Sequence, residues 1–246
     1  MKGIILAGGT GSRLDPLTRV TNKHLLPVYD RPMIHFAIEQ LAGAGIDRVM
    51  IVAGGPHASA FQPLLGDGSA FGLRGLEYAF QERAGGIAEA LGLCERFAAA
   101  DPVTVLLGDN IFEHSVAPII AAFRERPVGA RIALAEVEHP SAYGVAAIEC
   151  GRLVRIVEKP ADPPSRYAVT GLYCYDATVF DVVKELRPSG RGELEITDVN
   201  NRYLERGELA YDVVEGYWID CGESVEMLHR AGTLVAQRGA NKPAPR

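Results

Sequence analysis

A chain of 246 residues can hold one large core or two small ones, and 48% hydrophobic with 23% charged residues is the balance of a globular protein. A formal net charge of −6 excludes a general nucleic-acid binder, whose phosphate partner demands a positive field, so cations for a small anion would have to be locally concentrated. No apolar run approaches the roughly 20 residues of a membrane span, and no targeting segment opens the chain. The four cysteines (Cys94, Cys150, Cys174, Cys221) lack metal-ligand or CxxC spacing, so a cytoplasmic protein with reduced thiols is expected.

Residues 3–7 form an apolar run the length of one buried strand, stopped by Gly8-Gly9-Thr10-Gly11-Ser12-Arg13. Glycine-rich turns after a first strand bring successive N–H groups onto a phosphate, and Arg13 and Lys23 supply the cationic charge a triphosphate needs. Neither a Walker loop nor a dinucleotide loop fits the spacing, and a plain tight turn is the alternative. Residues 33–44 carry Ile34, Ala37, Ile38 and Leu41 at helical spacing, with Gly45 as a stop, and residues 48–53 read as a second strand. Strand, helix and strand with short joins make a βαβ unit, hence an α/β fold with a parallel sheet. The pattern continues with a strand at 76–80, a helix at 86–97 and a strand at 103–107 ended by Gly108-Asp109-Asn110. Ligands in such sheets sit beyond the carboxyl ends of strands, which selects residues 8–13, Gln81 and Asp109.

The second half changes character. Strands at 131–137, 143–148 and 153–157 precede Glu158-Lys159-Pro160, and together they read as mixed or antiparallel structure added to the parallel core. Helices are expected at 176–186, up to Glu205, and at 224–237, followed by a frayed tail at 239–246. Two carboxylates end apolar runs, Asp109 and Asp220, and either could cap a turn or join substrate phosphates in holding Mg²⁺. Glu158-Lys159 could be a solvated pair or could bind sugar hydroxyls and a phosphate. The acidic residues of Glu193-Leu194-Glu195-Ile196-Thr197-Asp198 could help shape a site, and Thr197 or Asp198 could instead cap a helix.

The first stretch resembles the signature of sugar-1-phosphate nucleotidylyltransferases. Leu6-Ala7-Gly8-Gly9, Gly11, Arg13-Leu14, Pro16-Leu17-Thr18, Lys23 and Leu25-Leu26-Pro27-Val28 match it, and the Gly108-Asp109-Asn110, Tyr143-Gly144-Val145, Glu158-Lys159-Pro160 and Trp218-Ile219-Asp220-Cys221-Gly222 stretches resemble the family's later motifs in order. The resemblance covers nearly the whole chain. It implies a Rossmann-like, mostly parallel sheet flanked by helices, with a smaller mixed or antiparallel sugar-binding lobe. As one nucleotidyltransferase domain over 1–240, it divides into a nucleotide part at about 1–130, a sugar-phosphate part at about 131–222 and a C-terminal helix at about 223–238, with a flexible tail at 239–246. The reaction implied is Mg²⁺-dependent in-line transfer of a thymidylyl group from dTTP to α-D-glucose 1-phosphate with release of pyrophosphate, by a homo-oligomer. UTP, or another sugar 1-phosphate, is the alternative, and a sensor that binds without turnover is the competing class.

By the same resemblance Leu6, Gly8, Gly9, Gly11, Arg13, Lys23, Gln81, Gly86 and Asp109 bind nucleotide. Gly144, Glu158, Lys159 and Val169 bind the sugar phosphate, Asp109 and Asp220 hold Mg²⁺, and Arg13, Lys23, Lys159, Asp109 and Asp220 carry the catalysis. Departures from the family pattern are His24 and Glu89, where relatives carry Gln after the Lys and a LAQA segment, and an end before the additional C-terminal helices of longer relatives, which implies weak or relocated end-product control.

Overall fold

The computed structural model describes residues 1–244. Strand β1 (Lys2–Ala7) leads through short 3-10 turns to the small strands β2 (Pro27–Val28) and β3 (Arg31–Pro32) and the helix α1 (Met33–Gly43). The first half continues with β4 (Arg48–Gly54), α2 (Phe61–Leu65), β5 (Gly75–Gln81), α3 (Ile87–Gly92), α4 (Glu95–Ala98), β6 (Val103–Leu107), β7 (Asn110–Phe112) and α5 (Ala117–Glu125). The second half comprises β8 (Ala130–Glu136), β9 (Gly144–Glu149), β10 (Arg152–Glu158), β11 (Tyr167–Tyr175), α6 (Val179–Glu185), α7 (Ile196–Glu205), β12 (Leu209–Val213), β13 (Trp218–Asp220) and α8 (Val225–Arg238).

β1 is apolar at successive positions because both its faces are covered: Ile4 and Leu6 enter one core, Ile5 and Ala7 the other. It pairs in parallel with β4 on one edge and β6 on the other, and β5 extends the parallel set beyond β4. The second half adds the expected mixed and antiparallel structure to the parallel core. β11 lies antiparallel to β6 through Leu172 to Tyr175, meets β9 at Ala168, and gives its other edge to β8, so the added strands branch from the same nine-stranded sheet. β10 hangs on β9, and β12 on β8. A third small core, including Phe36, Ile111, Ile219 and Ala231, seats α8 and the β13–β7 pair.

Three expectations need correction. The helix expected over 86–97 is two helices, broken at Gly92, where a glycine is a poor helix former and the backbone packs closely on Val183. The helix expected from 176 begins at Val179, because the Asp176 carboxylate instead accepts from the backbone N–H groups of Gly129 (2.7 Å) and Thr178 (3.0 Å), a local alternative to the helical turn. The tail expected to fray from Gly239 is tied down as far as it is described. Asn241 N donates to Phe112 O (3.0 Å), Lys242 N to Glu113 O (2.9 Å), and Lys242 Nζ to the buried Glu113 carboxylate (2.6 Å). Residues 245–246 lie outside the described residues.

Candidate functional site

The parallel strands β6, β1, β4 and β5 end on one side, and chain progression reverses between β6 and β1, which opens a crevice there. Side chains from β5 reach across to β1 because β4, which lies between them, ends in Gly54. A Cβ at Gly54 would lie 3.2 Å from Gly8 Cα and 3.4 Å from Gln81 O. A Cβ at Gly8 would lie 2.8 Å from Gln81 Oε1, so the missing side chains of the glycine loop are what admit Gln81. A cavity of about 320 Å³ follows, and every residue singled out from the sequence lines it except Gly11. Gly11 instead takes the left-handed turn (φ 67°) that carries the chain into the short turn bearing Arg13.

At the floor, Asp109 follows β6, and Asp220 is brought beside it by the antiparallel β13–β7 pair, which sets Asp220 opposite Asn110. The Asn110 side chain secures this junction: its Nδ2 donates to Asp109 Oδ1 (3.0 Å), and its Oδ1 accepts from Gly171 N (2.8 Å) and Trp218 Nε1 (2.7 Å). Lys23 Nζ is bonded to Asp109 Oδ2, and Gly222 N donates to Asp220 Oδ1 (2.8 Å). Burial opposes ionisation of Asp109, but the Lys23 charge and hydrogen bond outweigh it and hold its pKa well below the usual carboxylate range. Asp220 moves the other way, raised by burial and by the neighbouring Asp109 charge. Burial likewise opposes the Lys23 charge, yet Asp109 and Asp220 keep its pKa above the ordinary value. One ammonium thus serves two carboxylates, Asp109 buried and Asp220 half-buried, and the pair is short of positive charge. Among the described residues Arg13 makes no ion pair, so its guanidinium at the rim is free for an anion.

The opposite wall is built by β9, β10 and α7. Gly144 opens β9 and Glu158 ends β10, directly paired across the ladder. Lys159 follows at φ 43°, with its Nζ 3.9 Å from Glu158 Oε1 and 44% of the side chain exposed. Val169 of β11 completes the surface. Sequence reasoning left out Thr197, whose Oγ1 donates to Glu158 Oε2, and Arg191, whose Nη2 donates to Glu158 Oε1 (3.1 Å) and Glu195 Oε2 (2.8 Å). Neither Thr197 nor Asp198 caps α7, whose flanking residue is Glu195; Asp198 lines a different groove with Arg155 and Arg202. Arg191 and Glu195 lie in the loop before α7, where the i, i+4 spacing carries no helical meaning, so the sequence offered no sign of their pairing. Also missed were Tyr143, which donates to Glu223 Oε2 (2.8 Å) and packs edge-on against Trp218, and His24. His24 is buried beneath the glycine loop, its pKa pushed down to about 3 by burial and by Lys23, and its Nδ1 donates to Asn22 Oδ1 (2.8 Å).

The two walls are stitched together. Leu194 N donates to Gly85 O (2.8 Å) and Ala88 N to Leu194 O (3.1 Å), joining the loop after β5 to the loop before α7. Gly86 sits in this seam at φ 101°, where a Cβ would lie 2.3 Å from Leu194 O, so no other residue fits.

A site with a glycine loop, cations and an acidic pair at the head of a parallel sheet is that of a nucleotidyl transferase, and the chain belongs to the nucleotidyl transferase family, which it matches over residues 2–237. Relatives give finer names. A glucose-1-phosphate thymidylyltransferase of Actinoplanes sp. is 48% identical over 90% of this chain and 74% of its own length. A solved Bacillus anthracis structure named for the same activity, in complex with a sucrose, is 50% identical over 96% of each chain with a TM-score of 0.92. UDP-glucose pyrophosphorylase complexed with UDP-glucose superposes at TM-score 0.82 with 26% identity over 96% of this chain and 98% of that one. Among the described residues no helix is long and apolar enough to cross a membrane.

Proposed function

We propose that the chain transfers a thymidylyl group from dTTP to glucose 1-phosphate, releasing pyrophosphate and forming dTDP-glucose. The observation that carries this reading is the single cavity in which the glycine loop and Arg13 face Glu158 and Lys159 across the Asp109–Asp220 pair. Two phosphorylated substrates would meet there with their phosphates over the acidic floor. The printed names of the relatives at 48% and 50% identity support the choice of base and sugar.

The attacking oxygen belongs to a phosphate and is already anionic, so no general base is required; the protein must overcome charge repulsion and hold the two reactants in line. Arg13 would take the leaving pyrophosphate, the glycine-loop N–H groups the triphosphate, and Lys159 the incoming sugar phosphate. Lys23 would neutralise the floor beside the α-phosphate. Glu158, oriented by Thr197 and Arg191, would accept from sugar hydroxyls with oxygen valences those two leave open. The donor set suits Mg²⁺: two neighbouring carboxylates with one ammonium, which is bonded to Asp109, are short of a cation, and Mg²⁺ takes one or two carboxylates plus substrate phosphates. No cluster of three or more His, Cys, Asp or Glu among the described residues is spaced for a metal held by protein alone, which agrees with an ion shared with substrate. When bound, the ion would supply positive charge to the transferring phosphate oxygens.

Uracil differs from thymine by one methyl, and an apolar contact to a methyl discriminates by only about 10 to 200-fold, so UTP should be a weaker substrate rather than an excluded one. Pyrophosphate release from four nucleoside triphosphates against a panel of sugar 1-phosphates tests the reading. Highest kcat/KM with dTTP and glucose 1-phosphate is the expected result; nucleotide binding with no pyrophosphate from any pair would make the protein a sensor.

A further inference from the structure

A carboxamide is ambiguous as a reading head, because its NH₂ donates and its oxygen accepts. At Gln81 the surroundings remove the ambiguity. Gln81 Nε2 lies 3.1 Å from Gly86 O and 3.4 Å from Glu89 Oε2. Both of those oxygens are acceptors only, so an amide turned the other way would set oxygen against oxygen with no proton between them. The NH₂ therefore belongs on that side on chemical grounds, and both its hydrogens are used. The free polar valence is Oε1, on the Gly8 side of the cavity.

Glu89 reaches Gln81 because Gly85 has no side chain: a Cβ there would lie 1.1 Å from Glu89 Oε2. Its position in the first turn of α3 would ordinarily suggest a capping role, but no side chain bonds the Gly86 N–H at that helix start. The carboxylate is instead folded over the loop toward Gln81, with Arg83 Nε 3.8 Å from its other oxygen.

We propose that Glu89 is a positioning residue that fixes the Gln81 amide with its oxygen toward the base, and so sets the nucleotide preference of the cavity. The inference rests on the nucleotidyl-transfer reading above. An acceptor-only head matches the N3–H of thymine or uracil. It opposes the N3 lone pair of cytosine and the N1 lone pair of adenine, each of which would bring two acceptors together. The Gly86 N–H, which has no partner among the described residues, is the donor available to a base carbonyl beside that N3–H. A glutamine in place of Glu89 would offer either an N–H or an oxygen to Gln81, leaving Gly86 O as the one fixed acceptor against a turned amide and so lowering the cost of presenting an N–H to a cytosine-like edge.

Calorimetric affinities for dTTP and dCTP, measured on the full chain and on Glu89→Gln and Glu89→Ala, read this directly. The dTTP-over-dCTP ratio should fall about tenfold in both variants, the scale of one hydrogen bond to a charged group. In Glu89→Gln the change should come mainly from tighter dCTP binding. The KM for glucose 1-phosphate and the melting temperature should be unmoved. A ratio within twofold of wild type in both variants, or no preference in wild type, overturns the inference, as would an equal loss for both nucleotides with a lowered melting temperature. If the wild-type protein releases no pyrophosphate but the binding ratio shifts as stated, the role of Glu89 stands and the catalytic reading falls. Turnover with an unshifted ratio gives the reverse.

Discussion

Gly222→Ala isolates the geometry of the cavity floor from its chemistry, because it removes no charge and no hydrogen-bonding group. A Cβ at this position would lie 2.5 Å from Asp109 Oδ2 and 2.7 Å from Lys23 Nζ, whereas ordinary contact begins near 3.4 Å. Asp109 and Lys23 hold each other, so neither can swing away without breaking their ion pair, and the carboxylate must move by close to 1 Å. The residue is not in the left-handed region, so the backbone accepts alanine without strain. A misplacement of ~1 Å at reacting groups costs on the order of 100-fold in rate, equivalent to about 2.7 kcal/mol. Steady-state turnover with dTTP and glucose 1-phosphate should fall by about that factor, while urea unfolding shifts by no more than about 2 kcal/mol. Turnover within threefold of wild type at unchanged stability would show that the Lys23–Asp109 pair has no part in the chemistry.

Three further outcomes follow from the same geometry. Lys159→Ala should raise the KM for glucose 1-phosphate about tenfold or more and leave calorimetric dTTP binding intact, because that side chain sits on the wall away from the glycine loop; lost nucleotide affinity with an unchanged sugar-phosphate KM would contradict the division of the cavity. Asp220→Asn should abolish most turnover yet stabilise the fold relative to wild type increasingly as pH rises from about 4 to about 7, and by a constant amount above that. The folded state raises the Asp220 pKa and so holds a proton the unfolded chain has lost, which means wild-type stability declines with pH through that window. A melting-temperature difference that shrinks with pH would refute it. Glu113→Ala should cost about 1–2 kcal/mol in urea unfolding, because it orphans a backbone N–H while the two cations it leaves are exposed enough to be hydrated. It strips partners from Arg238 and Lys242 and from the Tyr217 N–H that leads into β13; a loss below about 0.5 kcal/mol would mean that the C-terminal segment is not held there.

The parallel half of the fold was legible because β1, β4 and β6 are covered on both faces and therefore read as continuous apolar runs. Their ends delivered the glycine loop and Asp109 directly. Gln81 was legible only as the residue ending β5, an edge strand of uneven burial, and the resemblance gave it the nucleotide. The proximity of Asp220 to Asp109 was not available from spacing, since it depends on the long-range pairing of two three-residue strands; the resemblance to a known family singled out Asp220. Arg191 escaped, and Thr197 read only as a possible helix cap, because a polar loop and a helix start rich in charge look like solvated surface. Their burden is set by Glu158, which is distant in sequence. The antiparallel character of the second half was legible, but not the way it joins the core, since nothing local shows that β11 is long enough to serve β6, β8 and β9 at once. The tail looked free because Pro and Ala carry no periodicity, and nothing local announces the buried Glu113 that receives Lys242.

The central claim is that both phosphorylated substrates occupy one cavity and react in a single in-line displacement over the Asp109–Asp220 floor. The most direct measurement is the stereochemical course at the α-phosphorus, using dTTP made chiral there by one sulfur-for-oxygen substitution. One displacement between two substrates held together must invert that centre. Retention would require two successive displacements through a nucleotidylated protein, and would contradict the account.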